Sequence, residues 1–213
     1  MSAGKFITFE GGEGAGKSTH VAGLSSRLRN GGWTVLETRE PGGTNEAEAL
    51  RTLLVSGDPG RWSAEAETLL NYAARDSHLN GVIRPALRKG SWVVCDRYMD
   101  STRAYQGVAG GVDEEIISIL ERTIVGDTLP DLTFILDLDP QMGLARAARR
   151  ENAEVAGEDR FESKGLAFHR VLREAFRQIA QDNDKRCVLI DAAKPLDEIT
   201  EMIWQTVVTR LSP

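Results

Sequence analysis

Five short apolar runs spaced along the chain do most to limit its fold: Phe6 to Phe9, Trp33 to Glu37, Trp92 to Asp96, Leu132 to Leu138 and Cys187 to Asp191. Each has the length and near-continuous apolar character of a strand buried on both faces, and each is followed by a stretch with helical spacing. Alternation of this kind makes βαβ units. Parallel strands need crossover connections, and right-handed crossovers pack back onto their sheet. The pattern therefore predicts an α/β fold with a parallel five-stranded sheet between two layers of helices.

The intervening segments carry their own periodicity. Phe168, Leu172, Phe176 and Ile179 recur at helical spacing, as do Ile199, Ile203, Val207 and Leu211, and both sets are expected core stripes. Ala64 to Lys89 reads as a long helix interrupted near Gly81 and Pro85 and stopped by Gly90. Two stretches fit neither period: Ser56 to Trp62, rich in Gly and Pro, and Glu151 to Arg160, polar and charged, which reads as a flap. A chain of 213 residues can enclose one full core, and a single domain over residues 1–213 is expected.

A formal net charge of -6 offers no broad basic field for a nucleic-acid polymer, and no apolar stretch nears the roughly 20 residues that cross a bilayer. The N-terminus lacks the basic start and apolar core of a signal peptide, so a cytoplasmic protein without nucleic-acid or membrane partners is expected. Cys95 and Cys187 each fall inside an apolar run and read as buried thiols rather than a disulfide. His20, His78 and His169 form no HExxH or Cys/His set, so no zinc site built by the protein is expected.

Chemistry enters between the first strand and the first helix. Gly11-x4-Gly16-Lys17-Ser18 matches the phosphate-binding P-loop in full and in the required context. Such a loop curls backbone N–H groups around phosphate oxygens, sends its lysine to the terminal phosphates and offers its serine hydroxyl to Mg²⁺. Gly11, Gly12, Glu13, Gly14, Ala15, Gly16, Lys17, Ser18 and Thr19 are the candidate nucleoside triphosphate site.

P-loops serve switches, motors and kinases alike. A GTPase would carry an Asn/Thr-Lys-x-Asp motif near a late strand, and the nearest string, Ala193 to Asp197, lacks the Asn or Thr. The run Trp92 to Asp96 ends in a carboxylate, as a strand delivering an Asp to Mg²⁺ would. Asp137 competes for that role, and either residue could instead cap the next helix. Asp96 is preferred because Arg97 follows it, and an arginine there suits a second phosphate.

Four strings, in order and over nearly the whole chain, resemble the thymidylate kinase family: FEGGEGAGKST from Phe9 to Thr19, REPGGT from Arg39 to Thr44, YAAR from Tyr72 to Arg75, and DRYMDSTRAYQG from Asp96 to Gly107. These are P-loop nucleoside monophosphate kinases that transfer a phosphoryl group from ATP to dTMP in dTTP synthesis. The resemblance implies their three-layer α/β fold, ATP as co-substrate with Mg²⁺, and a homodimer formed through helices around Ala64 to Lys89 and Asp113 to Thr123. It implies that Arg97 grips the dTMP phosphate, that Arg75 and Thr102 read the polar edge of thymine, and that Tyr105 crowds the 2′ position of the sugar with Gln106 close by. It further implies that Glu13 approaches the 3′-hydroxyl and phosphate region and that the Pro41 turn closes over the substrate. Arg39 and Ser101, from the same strings, complete the acceptor set. Where the family often places a Phe to stack on thymine, this chain has Asn71-Tyr72, and Tyr72 is the candidate for that contact.

Phosphoryl transfer spreads negative charge over the moving group, so positive charge and positioning supply most of the catalysis. A phosphate acceptor has a second pKa of about 6 and is already largely deprotonated at pH 7, so no general base is nominated. One branch of the family carries an arginine inside the P-loop; here that interior is Glu13-Gly14-Ala15, and the resemblance is to the branch with lid arginines. Arg146, Arg149 and Arg150 lie at spacings that share one side of a helix and open a lid segment around 146–162. With Lys17 and Arg97 they make the candidate catalytic set, Arg150 being the first choice and Arg160 a fallback. Family analogy adds Glu162 to Ser18 and Asp96 as a metal ligand, and the loop from Asp191 to Pro195 for adenine. The alternatives are another nucleoside monophosphate kinase on the same scaffold and a nucleotide-dependent switch.

Overall fold

The computed structural model describes residues 4–151 and 160–213, with the side chains of Arg150 and Glu151 outside the described part. Five strands, β1 (Phe6–Gly11), β2 (Val35–Arg39), β3 (Trp92–Asp96), β4 (Leu132–Asp137) and β5 (Cys187–Asp191), form one sheet in the order β2-β3-β1-β4-β5. Every pairing is parallel. The helices are α1 (Lys17–Asn30), α2 (Asn45–Val55), α3 (Ala64–His78), α4 (Arg84–Arg88), α5 (Met99–Thr102), α6 (Glu114–Leu120), α7 (Pro140–Glu151), α8 (Gly165–Asp182) and α9 (Leu196–Leu211).

Strand alternation feeds two cores. Ile7, Phe9, Val94, Phe134 and Leu136 turn to the face covered by Leu24 and Leu28 of α1 and Ile199, Ile203 and Val207 of α9. Phe6, Val93 and Cys95 turn to the other face, onto Tyr72, Leu79 and Ile83, while Ile135 meets Leu172 and Phe176 of α8. Both faces are covered by helices, and this is why the runs read as nearly continuous apolar stretches.

Two boundaries moved for local reasons. The second strand begins at Val35, two residues later than the apolar run starts, because the Trp33 N–H donates to the Leu28 carbonyl (3.2 Å) and closes the end of α1. The interruption expected near Gly81 and Pro85 is a wide π-helical turn, Leu79–Ile83, with the Arg84 N–H donating to the Leu79 carbonyl. A proline without a donor at 85 then starts α4, where a missing N–H is tolerated.

The topology sends β1 to β2 on one side and leaves β4 on the other, so the carboxyl end of β1 opens at the point where strand order reverses, the usual place for ligands in such sheets. The register sets Gly11 beside Leu136, Phe9 beside Asp96, and Asp96 beside Arg39. The P-loop is held there by backbone contact with α7. A Cβ on Gly14 would overlap the Gly143 carbonyl oxygen, and a Cβ on Gly143 would overlap that of Glu13. Gly143→Ala is expected to destabilise the fold by about 1–3 kcal/mol, the usual result of forcing atoms into a packed site, and to weaken ATP binding. Urea denaturation and nucleotide titration of the variant measure both effects.

Candidate active site

Around the P-loop the donors are arranged for phosphate. No acidic residue of α1 itself occupies its first turn, whose positive end suits an anion. Lys17 Nζ donates to the carbonyls of Gly11 (3.2 Å) and Gly12 (2.8 Å), folded back over the loop it serves. Burial, reinforced by the Arg97 charge, lowers its pKa to about 8 against the upward pull of Glu13 and Asp96. Ser18 Oγ donates to Asp96 Oδ2 at 2.7 Å.

That contact separates the two candidate aspartates. Asp96 stands beside the P-loop serine, whereas Asp137 accepts both arms of Arg173 (2.5 and 3.0 Å) and a bond from Arg177 (3.2 Å). The capping role falls to neither: Asp139 accepts the N–H groups of Gln141 and Met142 at the start of α7. A hydroxyl and a carboxylate are hard oxygen donors that suit Mg²⁺, which takes few protein ligands and fills its shell with water and phosphate. No cluster of three or more His, Cys, Asp or Glu side chains able to hold a metal occurs among the described residues.

Arg97 ties the P-loop to the end of β3. Its Nη1 donates to the Gly11 carbonyl (3.0 Å) and Ser101 Oγ (3.3 Å), and its Nη2 to Glu13 Oε1 (2.8 Å). The Tyr105 hydroxyl donates to the same Glu13 oxygen at 2.6 Å, and the guanidinium lies 5.0 Å from the centre of the tyrosine ring. Burial would raise the Glu13 pKa, but Arg97, Lys17 and the Tyr105 hydrogen bond outweigh it and hold it at about 2.

Beyond Glu13 a second cavity opens. Glu13, Pro41, Arg75, Arg97, Ser101, Thr102, Tyr105, Gln106 and Glu162 all line it, as the sequence reading expects of the acceptor set, with Glu162 added from the metal set. Arg75 is buried on α3: its Nε donates to Glu40 Oε2 (2.7 Å), and its Nη2 to the Tyr98 carbonyl (3.0 Å) and Thr102 Oγ1 (3.1 Å). Burial opposes its charge, and Glu40 more than restores it. Its Nη1 is buried without a hydrogen-bond partner among the described residues.

Two acceptor candidates fall outside this wall. Arg39 does not line the cavity; it is largely exposed and paired with Glu48 through Nη2 at 3.0 Å. Tyr72 is 1% exposed and packs in the core with Leu79 and Ile83, beneath the Arg75 guanidinium. The helical turn presents the preceding residue instead, and Asn71 lines the cavity.

The segment 146–162, expected as a lid, is described at its two ends only. Arg146 donates to the Ala192 carbonyl (3.3 Å), in the loop nominated for adenine, and Arg149 is exposed. The Arg150 side chain and residues 152–159, including most of the expected flap, lie outside the described residues. Arg160 is fully buried, donating to the carbonyls of Leu54, Asp58 and Pro59 (each 3.0 Å) and to Glu67 Oε1. A side chain held by four acceptors is an anchor, not a free catalytic arm.

The family model described as thymidylate kinase matches residues 9–203. The chain belongs to the thymidylate kinase family. A thymidylate kinase of Bradyrhizobium sp. (strain BTAi1) is 52% identical over 208 residues, covering 98% of this chain and 91% of that protein. One of Caulobacter vibrioides is 52% identical over 211 residues, 99% of each. The crystal structure of thymidylate kinase from Ehrlichia chaffeensis superposes with a TM-score of 0.75 at 32% identity, covering 97% of this chain and 99% of that chain.

Several wall residues escaped the sequence reading. Arg51, whose Nη1 donates to the Pro41 carbonyl (3.1 Å), sits on α2 at a position that looks like any solvated helix charge. Glu40 lies inside the REPGGT string that carried the resemblance and Phe161 beside Arg160 at the end of the expected lid segment, yet nothing in their spacing distinguished them from their neighbours.

Glu10 is the other hidden group. It is fully buried behind Arg97, accepting from the Tyr98 N–H (2.8 Å) and the Ser101 hydroxyl (2.5 Å). Burial and the nearby Asp100 raise its pKa to about 7, although Ser101, Arg97 and Tyr98 oppose them. Against an ordinary value of 4.5, the folded state keeps a proton that the unfolded state has released, so stability falls as pH rises from about 4.5 through 7. Chemical denaturation of the free protein between pH 5 and 8 is expected to show this decline, and Glu10→Gln to flatten it.

Proposed function

We propose that this chain transfers the γ-phosphoryl group of ATP to the phosphate of dTMP, giving dTDP and ADP. The observation that carries this reading is the Glu13–Arg97–Tyr105 junction, where a residue inside the P-loop forms part of the wall of a second cavity. A donor phosphate on the loop and an acceptor phosphate in that cavity would meet at Arg97. Holding two reacting groups together removes much of the entropic part of the barrier.

Each residue then has a part. The P-loop amides and Lys17 hold the donor phosphates, with the α1 terminus behind them. Arg97 offers a planar fork to the dTMP phosphate, and Glu13, kept ionised by its partners, faces the sugar side. Arg75 Nη1, buried and unpartnered, is placed to donate to a ring carbonyl of thymine, with Thr102 and Gln106 beside it. Asn71, not Tyr72, faces the base. The acceptor phosphate needs no proton removed.

Ser18 and Asp96, with Glu162, would hold Mg²⁺, which would supply positive charge to offset that of the donor phosphates. Arg150, with Arg149 and Arg146 behind it, is assigned to charge developing on the moving group, and the loop Asp191 to Pro195 to adenine. The exposed Leu69 of α3 and Ile116 and Ile119 of α6 support a homodimer through these helices, which sedimentation at micromolar concentration tests. A cytoplasmic site of action is part of the proposal; no helix among the described residues is long and apolar enough to cross a membrane.

ATP consumption with Mg²⁺, measured against dTMP, dUMP, dCMP, dGMP, AMP and UMP with a blank lacking acceptor, is expected to be fast mainly with dTMP. Preference for another monophosphate would leave the phosphoryl chemistry and overturn the base assignment. Arg150→Ala is expected to lower kcat by orders of magnitude with dTMP binding little changed, because a contact made only in the transition state acts on rate. Steady-state kinetics with dTMP titration by calorimetry checks the split.

A further inference from the structure

Arg75 does not keep its place alone. Its partner Glu40 accepts a second bond on the opposite oxygen, where His78 Nδ1 lies 3.0 Å from Oε1. On the far side of the ring, His78 Nε2 lies 2.7 Å from Thr38 Oγ1. The side chains of Arg75, Glu40 and His78 are 2%, 4% and 0% exposed. An ionised carboxylate only accepts, so Nδ1 carries a proton toward Glu40, and in the neutral ring Nε2 then accepts the Thr38 hydroxyl. Threonine, imidazole, carboxylate and guanidinium thus form one buried chain from β2 to the cavity wall.

The imidazole also seats the loop that carries Glu40 and Pro41. A Cβ on Gly43 would overlap the His78 ring, and Thr44 Oγ1 lies 2.7 Å from Ser77 Oγ on the adjacent turn of α3. A carboxylate turns easily about its last torsion, and a single partner leaves that rotation free. With His78 on one oxygen and Arg75 on the other, the carboxylate plane is set, and with it the direction of the Arg75 fork.

We infer that His78 is a positioning residue for acceptor choice: acting through Glu40, it aims Arg75 Nη1 at the ring carbonyl that distinguishes a 4-keto from a 4-amino pyrimidine. This rests on the reading of Arg75 proposed above. His78 touches no substrate, and none of the catalytic charge passes through it. Its effect therefore belongs in acceptor affinity and selectivity, not in turnover.

The test is the kinetics of His78→Leu, His78→Asn, His78→Gln and Arg75→Ala with dTMP and dCMP, alongside thermal unfolding. Losing a buried charge-assisted bond is expected to raise the dTMP KM of His78→Leu roughly tenfold to a hundredfold, with kcat changed by less than about threefold. The ratio of kcat/KM for dTMP over dCMP should fall with it. An asparagine amide stands near the position of Nδ1 and a glutamine amide near that of Nε2, so His78→Asn should recover most of the dTMP affinity and His78→Gln should not. Should His78→Leu fail to fold, the contrast between Asn and Gln decides alone. Equal KM values for those two, or an unchanged KM in His78→Leu where Arg75→Ala raises it, would overturn the positioning role. An unchanged KM in Arg75→Ala would instead overturn the base reading itself.

Discussion

Arg97 leaves the end of β3 with a left-handed backbone (φ 65°) and reaches across the sheet to β1, where its guanidinium meets the Gly11 carbonyl and the Glu13 carboxylate. A non-glycine residue in that region is strained, and it persists only where its surroundings over-determine it. Here they do: the Arg97 N–H donates to the Phe9 carbonyl (2.8 Å), Ser101 meets its side chain, and Tyr105 lies under the guanidinium. The strain turns the side chain away from the direction of the strand and onto the P-loop. This bridge joins the P-loop to the wall of the neighbouring cavity.

Such an arrangement concentrates charge where water is scarce. Glu10, Glu40, Glu67, Asp100 and Arg75 are all buried, and each charged group taken from water costs several kcal/mol unless it is paired and hydrogen-bonded. The structure pairs them in sequence-distant sets: Glu40 with Arg75, Asp100 with both arms of Arg186, Glu67 with Arg160. Glu10 is the exception, with donors from Tyr98 and Ser101 but a like-charged neighbour, and its raised pKa is the result. The Glu40–Arg75 pair stands at the wall of the cavity, whereas Arg186, just before β5, meets Asp100 and Thr133 Oγ1 (2.8 Å) near the amino ends of β4 and β5.

Glu67 shows how far the network extends. One oxygen takes Arg160, at the C-terminal end of the lid segment, and the other takes Gln106 Nε2 at 3.0 Å, in the acceptor wall. Phe161, next to Arg160, meets the Tyr105 ring edge-on with centroids 5.5 Å apart. The C-terminal end of the segment expected as a lid is thus packed against the same tyrosine that holds Glu13. That segment and the cavity wall share a foundation.

Periodicity and local chemistry were enough to read the layered parallel sheet, the helices that cover it and the P-loop, because each element leaves a signature within a few residues of sequence, even though the strand pairings themselves join residues as distant as Phe6 and Val93. Phe6 to Phe9 announces a strand, and Gly11 to Ser18 announces a phosphate loop, whatever lies beyond them. The sequence preferred Asp96 over Asp137 only because Arg97 follows it; the fold adds the physical separation, pairing one with Ser18 and the other with Arg173. The same holds for Asn71 against Tyr72, which are adjacent in sequence but about 100° apart around α3, so that one meets the cavity and the other the core. Arg39, Arg51, Arg75 and Arg160 look alike as charges in a sequence. What makes one a surface ion pair, one a wall residue, one a candidate reader of a base and one an anchor is the set of acceptors that folding brings within 3 Å or so, and those come from strands and loops tens of residues away.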